Sequence, residues 1–142
     1  MRDRERLLQE DYVGESDGPW KVLVICQCLN RAGWVVAERV LRELFAEYPT
    51  PKSVATADPD RLREILRPLG LSDQRVPKLM AMSERYACHR DHFGVRYSEY
   101  PVARFSGCGR YAADAWDLFV LRKRCEPIDR HLRRYMDRAF PV

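Results

Sequence analysis

Apolar residues recur at helical spacing along nearly the whole chain. Residues 34–48, WVVAERVLRELFAEY, place Val36, Val40, Leu41, Leu44 and Phe45 on one stripe, and Pro49 and Pro51 close the helix they predict. In DPDRLREIL, Asp58 suits an N-cap, Pro59 suits the first helical position, and Gly70 suits the stop beyond. SDQRVPKLMAMSERY (72–86) predicts the next helix. Pro77 is tolerated in a first turn, which sets the start no earlier than about Gln74 to Val76. HRDHFGVRYSEYP (89–101) reads as an irregular loop. YAADAWDLFVL (111–121) turns Ala112, Ala115, Trp116 and Phe119 inward, and RKRCEP breaks it. A last helix, IDRHLRRYMDRAF (128–140), aligns Leu132, Tyr135, Met136 and Ala139.

One stretch lacks this period. PWKVLVICQCLN (19–30) is a β-branched, apolar run that alone is compatible with a buried strand. No strand pair here has a convincing hairpin turn, and the flanking sequence is helical, so the run reads as a buried helix. The expected fold is all-α: a single compact helical domain over residues 1–142, with about seven to nine helices of ordinary length.

A chain of 142 residues can bury a core without staples. With 46% hydrophobic and 32% charged residues it does not have a disordered composition. The start, MRDRERLLQED, has no apolar signal-peptide core, and no apolar run approaches membrane-spanning length. Cys26, Cys28, Cys88, Cys108 and Cys125 are odd in number and irregular in spacing, which argues for a reducing compartment and against a disulfide framework. CHRDHF offers Cys88, His89 and His92 with no fourth ligand nearby, so no metal is expected. Charge is asymmetric. Residues 102–142 hold nine Lys+Arg against five Asp+Glu, which accounts for the whole net charge of +4. A basic end can meet phosphate, and it can equally be a solvated helix face.

The basic segment contains RFSGCGRYAADAW (104–116). Gly107 and Gly109, in a hairpin at about 105–110, permit positive φ and close backbone approach. The turn opens onto a helix N-terminus, where free N–H groups and Arg110 can hold an anion. A plain turn explains the two glycines as well. Downstream, EPIDRHLRR places Asp129 at the N-cap of the last helix. Asp is favoured there for capping alone. A carboxylate facing a polyanion has no role in binding it, so beside a phosphate-gripping hairpin it points to chemistry.

FSGCGRY, a helix, then IDRHLRR resembles the helix-hairpin-helix DNA glycosylases, the endonuclease III superfamily. LLQED, PWKVLVICQCLNR, RPLGL, GCGRYAADAW and PIDRHL follow the motif order of one subfamily, the glycosylase domain of the methyl-CpG-binding-domain mismatch-thymine glycosylase. The likeness spans about residues 7 to 140. It implies that Asp129 is the catalytic aspartate. Tyr111 stands where bifunctional members carry a nucleophilic lysine, which implies a monofunctional enzyme with no lyase step and places Tyr111 in the base pocket. Gln9 falls on a glutamine that reads the extruded base. Leu29, Asn30 and Arg31 form the DNA-facing LNR triplet, with Arg31 filling the gap the base leaves. Leu71, or Leu69, is the wedge beside it. Gly107, Gly109, Arg110, Arg130 and Arg133 are implied phosphate contacts, although Arg133 and Arg134 fit a solvated face equally well. His131 supports the site or packs. Trp20, Trp34 and Trp116 read as core.

Two departures stand out: Ser106 replaces the commoner proline, and the cysteine quartet of an iron–sulfur cluster is missing. No cofactor is expected. The implied activity is excision of mismatched thymine or uracil opposite guanine, in base excision repair, by base flipping in double-stranded DNA. The implied protein is a monomer of the nucleus in a eukaryote, or of the nucleoid otherwise. The alternatives are a non-catalytic DNA-binding module and a glycosylase for another damaged base.

Overall fold

The computed structural model describes residues 6–29 and 33–142. Its helices are α1 (Leu8–Tyr12), α2 (Gly18–Leu29), α3 (Trp34–Glu47), α4 (Pro51–Ala55), α5 (Pro59–Leu66), α6 (Ser72–Phe93), α7 (Arg110–Ala115) and α8 (Arg130–Ala139). No strand occurs among the described residues, so the fold is all-α.

Helix α2 lies at the centre, packed against α1, α3, α6 and α7. Trp20, Val22, Leu23, Val24 and Ile25 are wholly buried. A helix buried on every face shows no amphipathic period, which is why its sequence is ambiguous. The one polar group on Trp20, Nε1, donates to Ser83 Oγ of α6 at 3.0 Å. Around α2, the stripe of α3 points inward at Ala37, Val40, Leu41, Leu44 and Phe45, while Val36, expected on it, is exposed.

Several boundaries differ from the sequence expectation. Pro51 does not merely close α3 but opens α4, where Thr50 and Ser53 exchange reciprocal side-chain-to-backbone bonds of 3.0 Å. Asp58 caps α5 as expected. That helix stops at Leu66, and Gly70, at φ +77°, closes a following 3-10 turn. Helix α6 begins at Ser72, ahead of Gln74. The Leu71 carbonyl accepts from both Gln74 and Arg75 N–H groups, so the first turn is formed before Pro77 is reached. Pro77 then costs one bond, which a helix of 22 residues tolerates. The same helix runs on through Phe93, where a loop was expected. His89 there packs against Phe93, Tyr100 and Phe105 at ring separations of 5.3–5.9 Å, so this stretch has an aromatic inner face despite its charge. Tyr97, Tyr100 and Trp116 extend that cluster and hold residues 94–105 against α6 and α7. Helix α7 passes into a π turn at Trp116–Val120. No described helix is long and apolar enough to cross a membrane.

Truncating the centre of α2 tests its importance. Leu23→Ala is expected to lower the unfolding free energy by about 3 kcal/mol, seen as a lower urea midpoint at unchanged slope. A loss below about 1 kcal/mol would mean that the neighbouring helices close over the gap.

Candidate active site

The hairpin begins at buried Phe105. The Cys108 N–H donates to the Phe105 carbonyl at 3.0 Å, closing a turn with Gly107 at φ +74°. Glycine adopts that conformation without strain, and a second constraint adds to it: a Cβ at 107 would lie 2.9 Å from the Gln27 side chain. Gln27, on α2, donates Nε2 to the Ser106 carbonyl at 3.0 Å and so fastens the hairpin to the central helix. Gly109 caps α7 and faces open space, which leaves room for another backbone to approach.

Asp129 caps α8. Its Oδ2 accepts from the Leu132 N–H at 2.9 Å, while Oδ1 has no hydrogen-bond partner among the described residues. Tyr111, in the first turn of α7, is half-buried. Burial pushes its phenol above the ordinary value, with Cys26 and the Asp129 charge acting the same way, so it remains a neutral hydroxyl at physiological pH.

Gln9, on α1, is wholly buried. Its Nε2 donates to the Tyr111 hydroxyl at 3.0 Å and approaches Cys26 Sγ at 3.7 Å. Its Oε1 is buried with no partner. Glu10 holds α1 in place. It caps Leu7 N–H at 2.8 Å and pairs with Arg138 of α8 at 3.0 Å. Four elements, α1, α2, α7 and the start of α8, thus bring Gln9, Cys26, Tyr111 and Asp129 into one electrostatic neighbourhood.

Leu71 is 51% exposed at φ +53°, a conformation costly for a branched side chain, whereas Leu69 is 7% exposed and belongs to the core. Of the two leucines, Leu71 is the exposed one. Arg75 donates to the Gly70 carbonyl at 2.8 Å and to the Gln27 carbonyl at 2.6 Å, tying the Leu71 turn to the end of α2. Leu29 is half-buried at that end, and Asn30 and Arg31 lie outside the described residues. Arg130 is exposed, as is His131, which does not pack into the core. Arg110 and Arg133, expected to face phosphate, are exposed and donate to the backbone carbonyls of Glu126 and Pro127. Trp20 and Trp116 are core, and Trp34 is half-buried.

Sequence reasoning missed Gln27 and Arg75. Gln27 carried a signal, being the one polar residue within the apolar run 22–29. Also missed was a group formed by Asp114, Asp117 and Cys125, whose ligand atoms lie within 4.8 Å of one another. Arg110 pairs with Asp114 at 3.4 Å and Lys123 with Asp117 at 3.7 Å, so protein cations already neutralise it.

A glycine hairpin leading into a helix, followed by an N-cap aspartate on the next, defines a helix-hairpin-helix protein. Residues 26–142 match the family described as HhH-GPD superfamily base excision DNA repair protein, and the chain belongs to that family. It is 31% identical over 133 residues to the methyl-CpG-binding domain protein 4-like protein of Arabidopsis thaliana, covering 92% of this chain and 27% of the relative. It is also 31% identical over 134 residues to the thymine-DNA glycosylase of Aeropyrum pernix, covering 87% of this chain and 55% of the relative. The chain thus spans from about a quarter to about half the length of these relatives. The solved structure of a thermostable thymine-DNA glycosylase has the same fold, with a TM-score of 0.72 at 16% identity over 89% of this chain and 58% of that one.

The cysteines give a direct check on the site's burial. Burial pushes the Cys28 thiol up to about 12, and that of Cys26 higher still, while Cys88 is exposed. A chromogenic disulfide reagent at pH 8 is expected to modify Cys88 rapidly and to reach Cys26 and Cys28 only as the protein unfolds. Fast native labelling of Cys26 would contradict the closed packing around Gln9.

Proposed function

We propose that this protein is a monofunctional DNA glycosylase that extrudes mismatched thymine or uracil opposite guanine and hydrolyses its N-glycosidic bond. The observation that carries this is the Gln9 amide, buried beside Tyr111 with Oε1 unpartnered. A pyrimidine of this type presents N3–H beside a carbonyl, and an amide is its hydrogen-bonding complement, with Oε1 accepting and Nε2 donating.

Bases within a duplex hide the bond to be broken, so the nucleotide is flipped out, most cheaply where it is mispaired. Leu71 and Arg31 fill the gap. The hairpin amides and Arg130 hold backbone phosphate, which positions the duplex without reading its sequence. As the bond from C1′ to the base nitrogen breaks, its electron pair leaves with the base and the sugar becomes cationic. The Asp129 carboxylate stabilises that cation and orients the water whose oxygen bonds to C1′. The proton lost by that water balances the one gained by the departing base. Tyr111 offers a neutral hydroxyl to the base edge. It has no amine with which to form a Schiff base, so the product keeps an intact strand at an abasic site.

The test is a set of duplexes, each with a single G·T, G·U or damaged pair, assayed for abasic sites before and after hot alkali. Excision from G·T and G·U is expected, with strand breaks after alkali only. Asp129→Asn is expected to slow excision by at least about 10²-fold while leaving duplex binding intact. Full excision by that variant would overturn the mechanism. Tight binding with no excision of any base would favour a purely DNA-binding module.

A further inference from the structure

Asp129 is delivered by a strap, residues 121–129, that is irregular along its length. A segment without its own ladder of hydrogen bonds keeps its course through bonds to its surroundings. Two guanidiniums grip it at consecutive carbonyls just ahead of Asp129. Arg110, the first residue of α7, donates Nη2 to the Glu126 carbonyl. Arg133, in the second turn of α8, donates Nη2 to the Pro127 carbonyl at 2.7 Å. Arg110 is held in turn by Asp114, one turn further along α7, at 3.4 Å. The carbonyl of Asp114 also receives Cys125 Sγ at 3.8 Å, a third hold on the strap.

The helix start explains why such a clamp is needed. A hydrophobic residue just ahead of an N-cap ordinarily packs on the fourth residue of its helix and fixes the entry angle of the chain. Ile128 occupies that place but is 72% exposed, and the fourth residue of α8 is Arg133. The apolar staple is missing, and the bond from Arg133 to Pro127 takes over its work.

We infer that Arg110 and Arg133 are positioning residues that aim the Asp129 carboxylate, and are not phosphate ligands. The inference rests on the glycosylase reading above. The two roles leave different traces. Loss of a phosphate contact weakens binding on every sequence and lowers the salt dependence of affinity by about one counterion. Loss of a positioning residue leaves binding alone and slows the step in the saturated complex, where a displacement of about 1 Å can cost about 10²-fold.

The experiment compares Arg133→Ala, Arg110→Ala and Arg133→Lys with Arg130→Ala as the phosphate-type control. Single-turnover excision is measured at saturating enzyme on a duplex that the unaltered protein cleaves. Affinity for an uncleavable duplex is measured across a salt series, and amide hydrogen exchange is followed over residues 121–129. Both alanine variants are expected to slow the saturated step by about 10- to 100-fold, with affinity within about 2-fold and an unchanged salt slope. Arg133→Lys, which can still donate to the Pro127 carbonyl, recovers part of the rate. Arg130→Ala lowers the salt slope by about one. Exchange in the strap rises in both alanine variants while α8 stays protected. An unchanged saturated rate with a reduced salt slope at Arg133 overturns the inference, as does unchanged exchange in the strap. If the unaltered protein excises no base from any duplex, the glycosylase reading fails, and strap exchange still decides whether the clamp exists.

Discussion

The burial of α2 is the constraint on which the site depends. Its residues from Val22 to Ile25 have no exposed face, so the helix can neither slide nor rotate without opening the core. The next two residues convert that rigidity into placement. Cys26 lies against the Gln9 amide, and Gln27 holds the hairpin through the Ser106 carbonyl. The Gln27 carbonyl anchors Arg75, which also grips Gly70 behind Leu71. One buried helix thereby registers the Gln9 amide, the glycine turn and the exposed leucine against one another.

Charge follows a different logic. The chain's entire positive excess lies in its last 41 residues, which invites an assignment of that whole face to phosphate. Several of its arginines are exposed and yet bonded within the protein. Arg122 bonds the Tyr135 hydroxyl at 2.7 Å and lies over the Phe140 ring, and Arg124 bonds the Phe140 carbonyl. Arg124, with Arg110 and Arg133 on neighbouring carbonyls, holds irregular backbone that no secondary structure satisfies. A local charge excess therefore does not show how many of its guanidiniums already have partners within the protein.

The legible parts of the fold were those with local causes. The Asp58 and Asp129 caps, the stripes of α3 and α8 and the turn at Gly107 follow from nearest neighbours. Misjudged boundaries had distant causes. Residues 89–93 stay helical because His89 meets aromatic rings from the following segment, and α6 starts early because Leu71 accepts a left-handed conformation that its sequence does not advertise. In the candidate site, Asp129, Tyr111 and Gln9 were named from motif order, and the bond between Gln9 and Tyr111 joins residues 102 positions apart. Choosing Leu71 over Leu69 required burial, and the partners of Arg110 and Arg133 required the course of the strap. None of these is a property of a residue and its neighbours in sequence.

The orphaned oxygen of Gln9 has an energetic consequence. A buried acceptor without a donor costs the free protein on the order of 1–3 kcal/mol. In the proposed reading, a base that brings an N–H to that oxygen relieves the penalty on entry. Cytosine presents a lone pair at the same ring position and leaves two acceptors facing each other. Rejection of the commonest pyrimidine partner of guanine is then built into the resting protein as a debt that only the wrong base can discharge, and discrimination of this kind outperforms a fit judged by shape alone.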